Sequence, residues 1–297
     1  VSPSRAPACR VARARRGARR RGFTLVELLV ALTLAAILVG LVSSVFLAQN
    51  RFYGTVVRRS AVHDGARTIL SFASAEIRNA SPEGIRIADS LRFVTRIPSA
   101  VGIVCAVQGS RVDAYLPHGS AGLGEGTVTG YAIRALDESW SYYAANWNQL
   151  FRGSSRDVAD ACSARGMDTV DAGTDPFMKL QGPGNQPSPR PGPGSGILLY
   201  RDVEFRVDES ELNEGTLALY RGTYEAELFE LTSGLAEETG FAYRLRGEDD
   251  YVSAVAEEDL PRINSVRVVA RAVSGDGAPG EPYQYELVQD IPLGNAR

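Results

Sequence analysis

Gly22-Phe23-Thr24-Leu25-Val26-Glu27-Leu28-Leu29-Val30-Ala31-Leu32-Thr33-Leu34-Ala35-Ala36-Ile37-Leu38-Val39-Gly40-Leu41-Val42 is the stretch that decides how this chain is read. Its apolar character continues to about Leu47. More than 20 such residues make a helix of roughly 30 Å or longer, enough to cross a bilayer. Glu27 is the only ionisable side chain inside the run. Immediately before it, residues 1–22 hold eight arginines (Arg5, Arg10, Arg13, Arg15, Arg16, Arg19, Arg20 and Arg21) and no acid. Positive charge on one flank keeps that flank cytoplasmic. The expected topology is a single pass with the N-terminus inside and residues from about 48 onward outside the cytoplasm.

Working outward, the whole chain has 297 residues, 44% apolar and 23% charged. That suits one large or two ordinary folded domains. It excludes disorder throughout, collagen, a polytopic membrane protein and a cysteine-rich miniature scaffold. Removing the eight leader arginines from 32 basic residues leaves 24 facing all 35 acids, a balance of −11. A body of that charge repels phosphate, so no nucleic-acid partner is expected.

Beyond the span a helical pattern persists. Val45, Phe46, Phe52, Tyr53, Val56, Val57, Ala61, Ile69, Leu70, Phe72, Ala73 and Ile77 approximate a 3.6-residue period, with polar residues between them. Asn79-Ala80-Ser81-Pro82-Glu83-Gly84 is a strong stop. One helix is predicted over about 23–79: a membrane or filament-core part over 23–47 and an amphipathic part over 48–80. Gly40, Gly54 and Gly65 are places where it can bend. Strand-like runs follow at 91–97, 102–108, 111–116, 127–136, 141–151, 197–207, 216–221, 224–231, 241–246, 263–273 and 282–289. Residues 182–196 hold five prolines and five glycines and read as an exposed loop between a head part at 85–181 and a C-terminal sheet part at 197–297. The predicted fold class is α+β: a long N-terminal helix packed on an antiparallel sheet.

Four readings compete for the N-terminal segment. A cleaved secretory signal has a shorter core and a small-residue cleavage site, and Ser43-Ser44-Val45-Phe46-Leu47-Ala48 is a poor one. A twin-arginine signal fits Arg20-Arg21-Gly22-Phe23-Thr24-Leu25 over a short match. A plain signal anchor leaves Glu27 unexplained. The fourth is a prepilin: Gly22-Phe23-Thr24-Leu25-Val26-Glu27 followed by an unbroken apolar helix resembles the N-terminus of type IV pilins and type II secretion pseudopilins. The resemblance implies cleavage between Gly22 and Phe23 by a membrane-embedded prepilin peptidase, N-methylation of the new Phe23 amine, and assembly with other subunits on an inner-membrane platform. The expected function is that of a structural subunit, not an enzyme, with no cofactor and no metal.

Electrostatics gives Glu27 a purpose within that reading. A charge in a bilayer costs a few kcal/mol on insertion scales. The amine of a newly cut N-terminus has a pKa near 8 and is mostly protonated at neutral pH. A salt bridge from Glu27 to residue 23 of the same chain is one partner for that charge. A bridge to a neighbouring subunit neutralises both charges only in the correct register, which converts a desolvation penalty into assembly specificity. Gly22 lets a protease approach the backbone. The arginine block holds the leader against anionic lipid.

The C-terminal part extends the resemblance. Leu217-Ala218-Leu219-Tyr220-Arg221, Leu231-Thr232-Ser233-Gly234-Leu235, Phe241-Ala242-Tyr243 and the late strand from Ile263 to Val273 follow an order similar to W-type minor pilins and J-type pseudopilins. K-type pseudopilins are less similar, since they typically lack the acid that Glu27 supplies. The leader, beginning at Val1, is long for the family, and residues 100–196 have no counterpart in it.

Cys9 lies in the leader, with no apolar stretch before it. Cys105 and Cys162 fall on the extracytoplasmic side, where disulfides persist. A bridge between them is expected, closing a loop worth on the order of 4 kcal/mol in the chain-entropy model; two buried free thiols are the alternative. His63 and His118 lack ligand spacing for zinc. His118-Gly119-Ser120-Ala121-Gly122 and Gly122-Leu123-Gly124-Glu125-Gly126 miss the nucleophile-elbow and dinucleotide patterns. Asp208-Glu209-Ser210-Glu211 and Glu248-Asp249-Asp250 are acidic turns without the EF-hand pattern. The rival from another class is a signal-anchored extracytoplasmic binding or enzyme domain.

Overall fold

The structure is a computed structural model, and it describes residues 23–109, 111–116, 128–134, 139–145, 155–164, 166, 177–181, 191–274 and 283–293. The leader with Gly22 and Cys9, the segment with His118 and Gly122–Gly126, and 182–190 of the proline-rich loop lie outside these residues. The chain divides into two compact units, Val1–Val56 and Val57–Arg297.

Helix α1 (Leu25–Ile77) runs unbroken through Gly40, Gly54 and Gly65. It stops because the Asn79 and Ala80 amides turn back onto the Glu76 and Ile77 carbonyls at 3.0 Å, and because Pro82 starts a 3₁₀ turn, Pro82–Gly84. In the first unit the helix is exposed on every side. In the second unit Val62, Ala66, Ile69, Leu70, Ala73 and Ile77 are buried, one stripe at steps of three and four. Burial of each large member contributes roughly 1.5–3 kcal/mol. The buried stripe starts at Val62, well after the residue 48 at which the sequence places the amphipathic part.

The stripe packs on one antiparallel sheet. Its strands are β1 (Ile85–Ala88), β2 (Arg92–Gln108), β3 (Arg111–Tyr115), β4 (Gly130–Arg134), β5 (Trp140–Ala144), β6 (Phe177–Gln181), β7 (Gly196–Glu209), β8 (Leu217–Thr223), β9 (Leu228–Leu235), β10 (Gly240–Leu245), β11 (Tyr251–Val252), β12 (Ile263–Val273) and β13 (Gln284–Pro292). The main path is β11-β10-β12-β9-β8-β7-β2-β3-β6, with β1 on β2, β13 on β12, and the β4–β5 hairpin on β7. A short helix, α2 (Ser155–Ser163), contacts β2, β3 and β6.

Two long strands, β2 and β7, serve two hydrophobic cores. Phe93 and Ile97 of β2, with Val203, Phe205 and Val207 of β7, belong to the core under α1. Further along, Val104 and Ile197 with Leu199 enter a second core, with Val112, Leu116, Tyr131 and Ile133. On β2 the inward residues change from odd to even numbers because the register with β7 shifts between Pro98 and Ala100. One extra residue in a strand moves every later side chain to the other face. This bulge lets one continuous strand feed both cores.

The α+β class and the helix-on-sheet arrangement are as the sequence indicates. Two details differ. The runs at 91–97 and 102–108 are one strand, since Pro98 sits at the bulge, where a missing amide is tolerated. β1, β6, β11 and α2 are short elements without a periodic signal of their own. Ile263–Val273 is a strand with the predicted bounds.

Candidate functional site

At the start of α1, Phe23 and Thr24 are non-helical and the helix begins at Leu25. The Thr24 hydroxyl oxygen accepts the Glu27 backbone amide at 3.3 Å, and the Thr24 carbonyl accepts the Leu28 amide at 3.2 Å. Thr24 is thus the N-cap and Glu27 the third helical residue, the Thr-x-x-Glu spacing of a capping box. Glu27 lies in the first turn, where a negative charge is favoured by the exposed amides. Its side chain is exposed, and among the described residues no cation pairs with it. Phe23 is 78% exposed. The local Thr24–Glu27 spacing identifies the cap; reading Glu27 only as a charge misses it.

Past Glu27 the helix presents Leu28, Leu29, Leu32, Leu38 and Phe46 to its surroundings, each more than half exposed. The most apolar window has a mean hydropathy of 2.7 and none of it is buried. Two of its hydroxyls are satisfied within the helix: Thr33 donates to the Val30 carbonyl at 2.9 Å and Ser44 to the Leu41 carbonyl at 2.8 Å. Internal satisfaction of polar groups is what an apolar solvent demands. The surface is long and apolar enough to cross a membrane.

A second carboxylate on α1 behaves differently. Glu76 accepts Arg201 Nη2 at 3.0 Å, and Arg221 Nη2 and Nε at 2.6 and 3.1 Å. Strands β7 and β8 deliver these arginines, which tie the helix end to the sheet. On the sheet face away from α1, Asp202 pairs with Arg86 at 3.3 Å and Arg96 at 3.5 Å, while Arg92 grips Glu204 through two hydrogen bonds at 2.9 and 3.3 Å. Arg96 lies over Tyr142 and Tyr200, 4.6 and 5.2 Å from their ring centroids. Burial pushes the Tyr200 and Tyr131 phenols up to about 12, and the Tyr243 phenol well above its ordinary value. These are structural tyrosines held neutral by desolvation.

The remaining described residues singled out by sequence belong to the second unit. Cys105 and Cys162 are bonded to each other and buried, joining α2 to β2. His63 Nε2 is 2.9 Å from the Tyr283 hydroxyl and its ring lies on Tyr285, with centroids 3.7 Å apart. Asp208 faces Arg206 at 3.4 Å, and Glu248 faces Arg262 at 3.1 Å. Ser210 donates to Glu230 at 3.0 Å. Among the described residues no three His, Cys, Asp or Glu side chains converge as a metal site.

A capped, membrane-length apolar helix continuing into an antiparallel sheet domain defines a class: a pilin-like membrane protein, consistent with a single pass. Residues 17–43 match the family model described as the prokaryotic N-terminal methylation motif. The chain therefore carries a prepilin-type N-terminal motif on a pilin-like fold. No curated protein and no solved structure matches it.

Proposed function

We propose that this protein is a minor pilin or pseudopilin, a structural subunit of a type IV pilus or type II secretion pseudopilus of the W or J type, rather than a catalyst. It is inserted with its N-terminus in the cytoplasm and its sheet domain outside. Prepilin peptidase cuts between Gly22 and Phe23, and the Phe23 amine is methylated. The chain then leaves the bilayer for a filament assembled on an inner-membrane platform, with Glu27 neutralising the terminal amine of an adjoining subunit. The observation that carries this reading is the methylation-motif match over 17–43, which contains Glu27, the lone carboxylate of an otherwise bare apolar helix surface.

Mass spectrometry of protein from the native envelope tests it. The expected N-terminus is methylated Phe23, and an intact arginine-rich prefix overturns the reading. Replacing Glu27→Val is expected to leave insertion and cleavage intact and to abolish recruitment into filaments. Normal incorporation of that variant removes the role assigned to the acid.

A further inference from the structure

Phe72 fits the apolar pattern of α1, yet it is 52% exposed and stands off the stripe that packs on the sheet. We propose that the face of α1 beside Phe72 receives the Leu212 loop of a second copy of this chain, leucine against phenylalanine and acids against arginines. Both surfaces belong to the second unit, so this contact is additional to any made by the apolar helix of the first and needs no cut after Gly22.

The receiving face follows from helix geometry. Residues three and four apart share a face. Arg67, Ser71, Ala75 and Arg78 obey those steps and are all exposed. Ser71 and Ala75 are small, so they form a shallow floor between Phe72 on one side and the two arginines on the other. Arg67 and Arg78 stand 11 residues apart, about 16 Å along the axis. Among the described residues neither has an acidic partner. The acids of this part of α1 are engaged elsewhere: Glu76 by Arg201 and Arg221, and Asp64 by the Ser60 hydroxyl at 3.4 Å.

The loop between β7 and β8 has the opposite charge. Glu209, Glu211 and Glu214 are exposed, and among the described residues no cation pairs with them. Leu212, between them, is 78% exposed, more than any other large apolar side chain described in the second unit. The loop is nevertheless tied down. The Ser210 hydroxyl accepts the Leu212 and Asn213 amides at 3.2 and 2.9 Å and donates to Glu230 at 3.0 Å. Glu230 also accepts the Glu211 amide at 3.0 Å, and the Asn213 side chain donates to Ser233 at 2.6 Å. A side chain held out on a fixed loop is pre-organised, and little ordering entropy is lost when it docks.

In one chain Phe72 and Leu212 both remain exposed, so the match is made only between molecules. The two surfaces differ, which makes the contact heterologous and able to repeat from copy to copy. Opposite charges fix its orientation, and like charges penalise a wrong one. One leucine, one phenylalanine and a few charges fall well below the roughly 1,200 Å² of a stable complex. The contact therefore acts between copies already concentrated in a shared membrane or filament, where it sets register.

Cysteine pairing between full-length chains in the native envelope tests it, in a Cys9→Ser background. Ala75→Cys in one chain and Asn213→Cys in another, produced together and mildly oxidised, are expected to give a covalent dimer that neither gives alone. Arg67→Glu with Arg78→Glu in the first chain turns two exposed attractions into repulsions and is expected to lower the yield about tenfold. Glu211→Lys with Glu214→Lys in the second chain is expected to do the same. Both reversals together are expected to restore the yield to within about twofold of the parent pair. Restoration also shows that the reversed chains fold. Leu212→Ser changes an exposed side chain without touching charge and is expected to lower the yield about fivefold through lost apolar burial. Equal yields in all charge combinations overturn the proposal, as does a double reversal that restores nothing. A dimer from Ala75→Cys alone overturns the heterologous pairing. Asn213→Cys joined to a different envelope protein and not to this chain overturns the choice of a second copy. Mass spectrometry of the N-terminus in the same sample separates this contact from the filament reading. Methylated Phe23 without the cross-link overturns the contact alone, whereas the cross-link on an uncut chain supports the contact while the filament reading falls.

Discussion

The two stretches of α1 solve the same chemical problem in opposite ways. Residues 25–57 carry large apolar side chains around the whole helix and leave them exposed. Residues 62–77 carry a single buried stripe and turn the rest to water. The carboxylates follow suit. Glu76 is held by two arginines of its own chain, whereas Glu27 has no cation among the described residues. A surface that is apolar all round is finished only by another phase or another molecule; a stripe is finished by the domain that bears it. In this helix the change from one rule to the other takes place within a few residues of Val57.

The sharpest way to break this contrast is a matched pair of truncations. Ile69→Ala deletes a side chain only 1% exposed at the helix–sheet contact. It is expected to lower the stability of the sheet domain by about 2–5 kcal/mol, through lost transfer energy and a cavity. Leu34→Ala removes a similar volume from a position 56% exposed. It is expected to change that stability by no more than about 0.5 kcal/mol. Denaturant unfolding of the full chain in micelles, followed by tryptophan fluorescence, measures both. Equal losses would mean that the two stretches do not follow separate rules.

The same contrast explains what was legible in the sequence. The span and its motif are local patterns, so Phe23, Glu27 and the apolar run stand out without knowledge of the rest of the chain. Most strands were visible through Val, Tyr and Phe alternation. Their partners were not, because pairing such as β2 with β7 joins residues about a hundred positions apart. Pro98 and Gly102 made β2 look like two strands; only the partner strand shows that a bulge carries the chain through. Glu76 was silent for the same reason. Its arginines lie 125 and 145 residues away, and no helical pattern announces them. The start of the buried stripe at Val62 was equally hidden, since Phe52, Tyr53 and Val56 look as apolar as the residues that do pack.

A smaller effect separates the two acids. Glu76→Gln keeps the shape and removes the charge facing Arg201 and Arg221. The pair is partly buried, so loss of the charge-assisted bonds is expected to cost about 1–3 kcal/mol in the unfolding free energy. Glu27→Gln is expected to leave the same unfolding curve in place, because nothing in the sheet domain depends on that carboxylate. A shift of the curve by Glu27→Gln would show that the first unit contributes to the stability of the second.

The smallest expected effect is a pH dependence confined to the second unit. Asp290 on β13 receives Arg267 Nε and Nη2 from β12 at 2.7 and 3.0 Å, and hydrogen bonding to Arg267 holds its carboxyl below the ordinary value of 3.8. A carboxylate whose pKa is lower in the folded chain binds fewer protons there than in the unfolded one. Its stabilisation is therefore complete above the ordinary carboxylate pKa and is lost as pH falls through the folded value. Both side chains are substantially exposed, so solvent screening keeps the contribution to about 0.2–1 kcal/mol. Asp290→Asn is expected to lose that amount at neutral pH and to flatten the acid limb of the stability profile below about pH 4. The opposite sign, with the parental chain gaining stability from this pair on acidification, would mean that β12 and β13 are not held together by the ionised form.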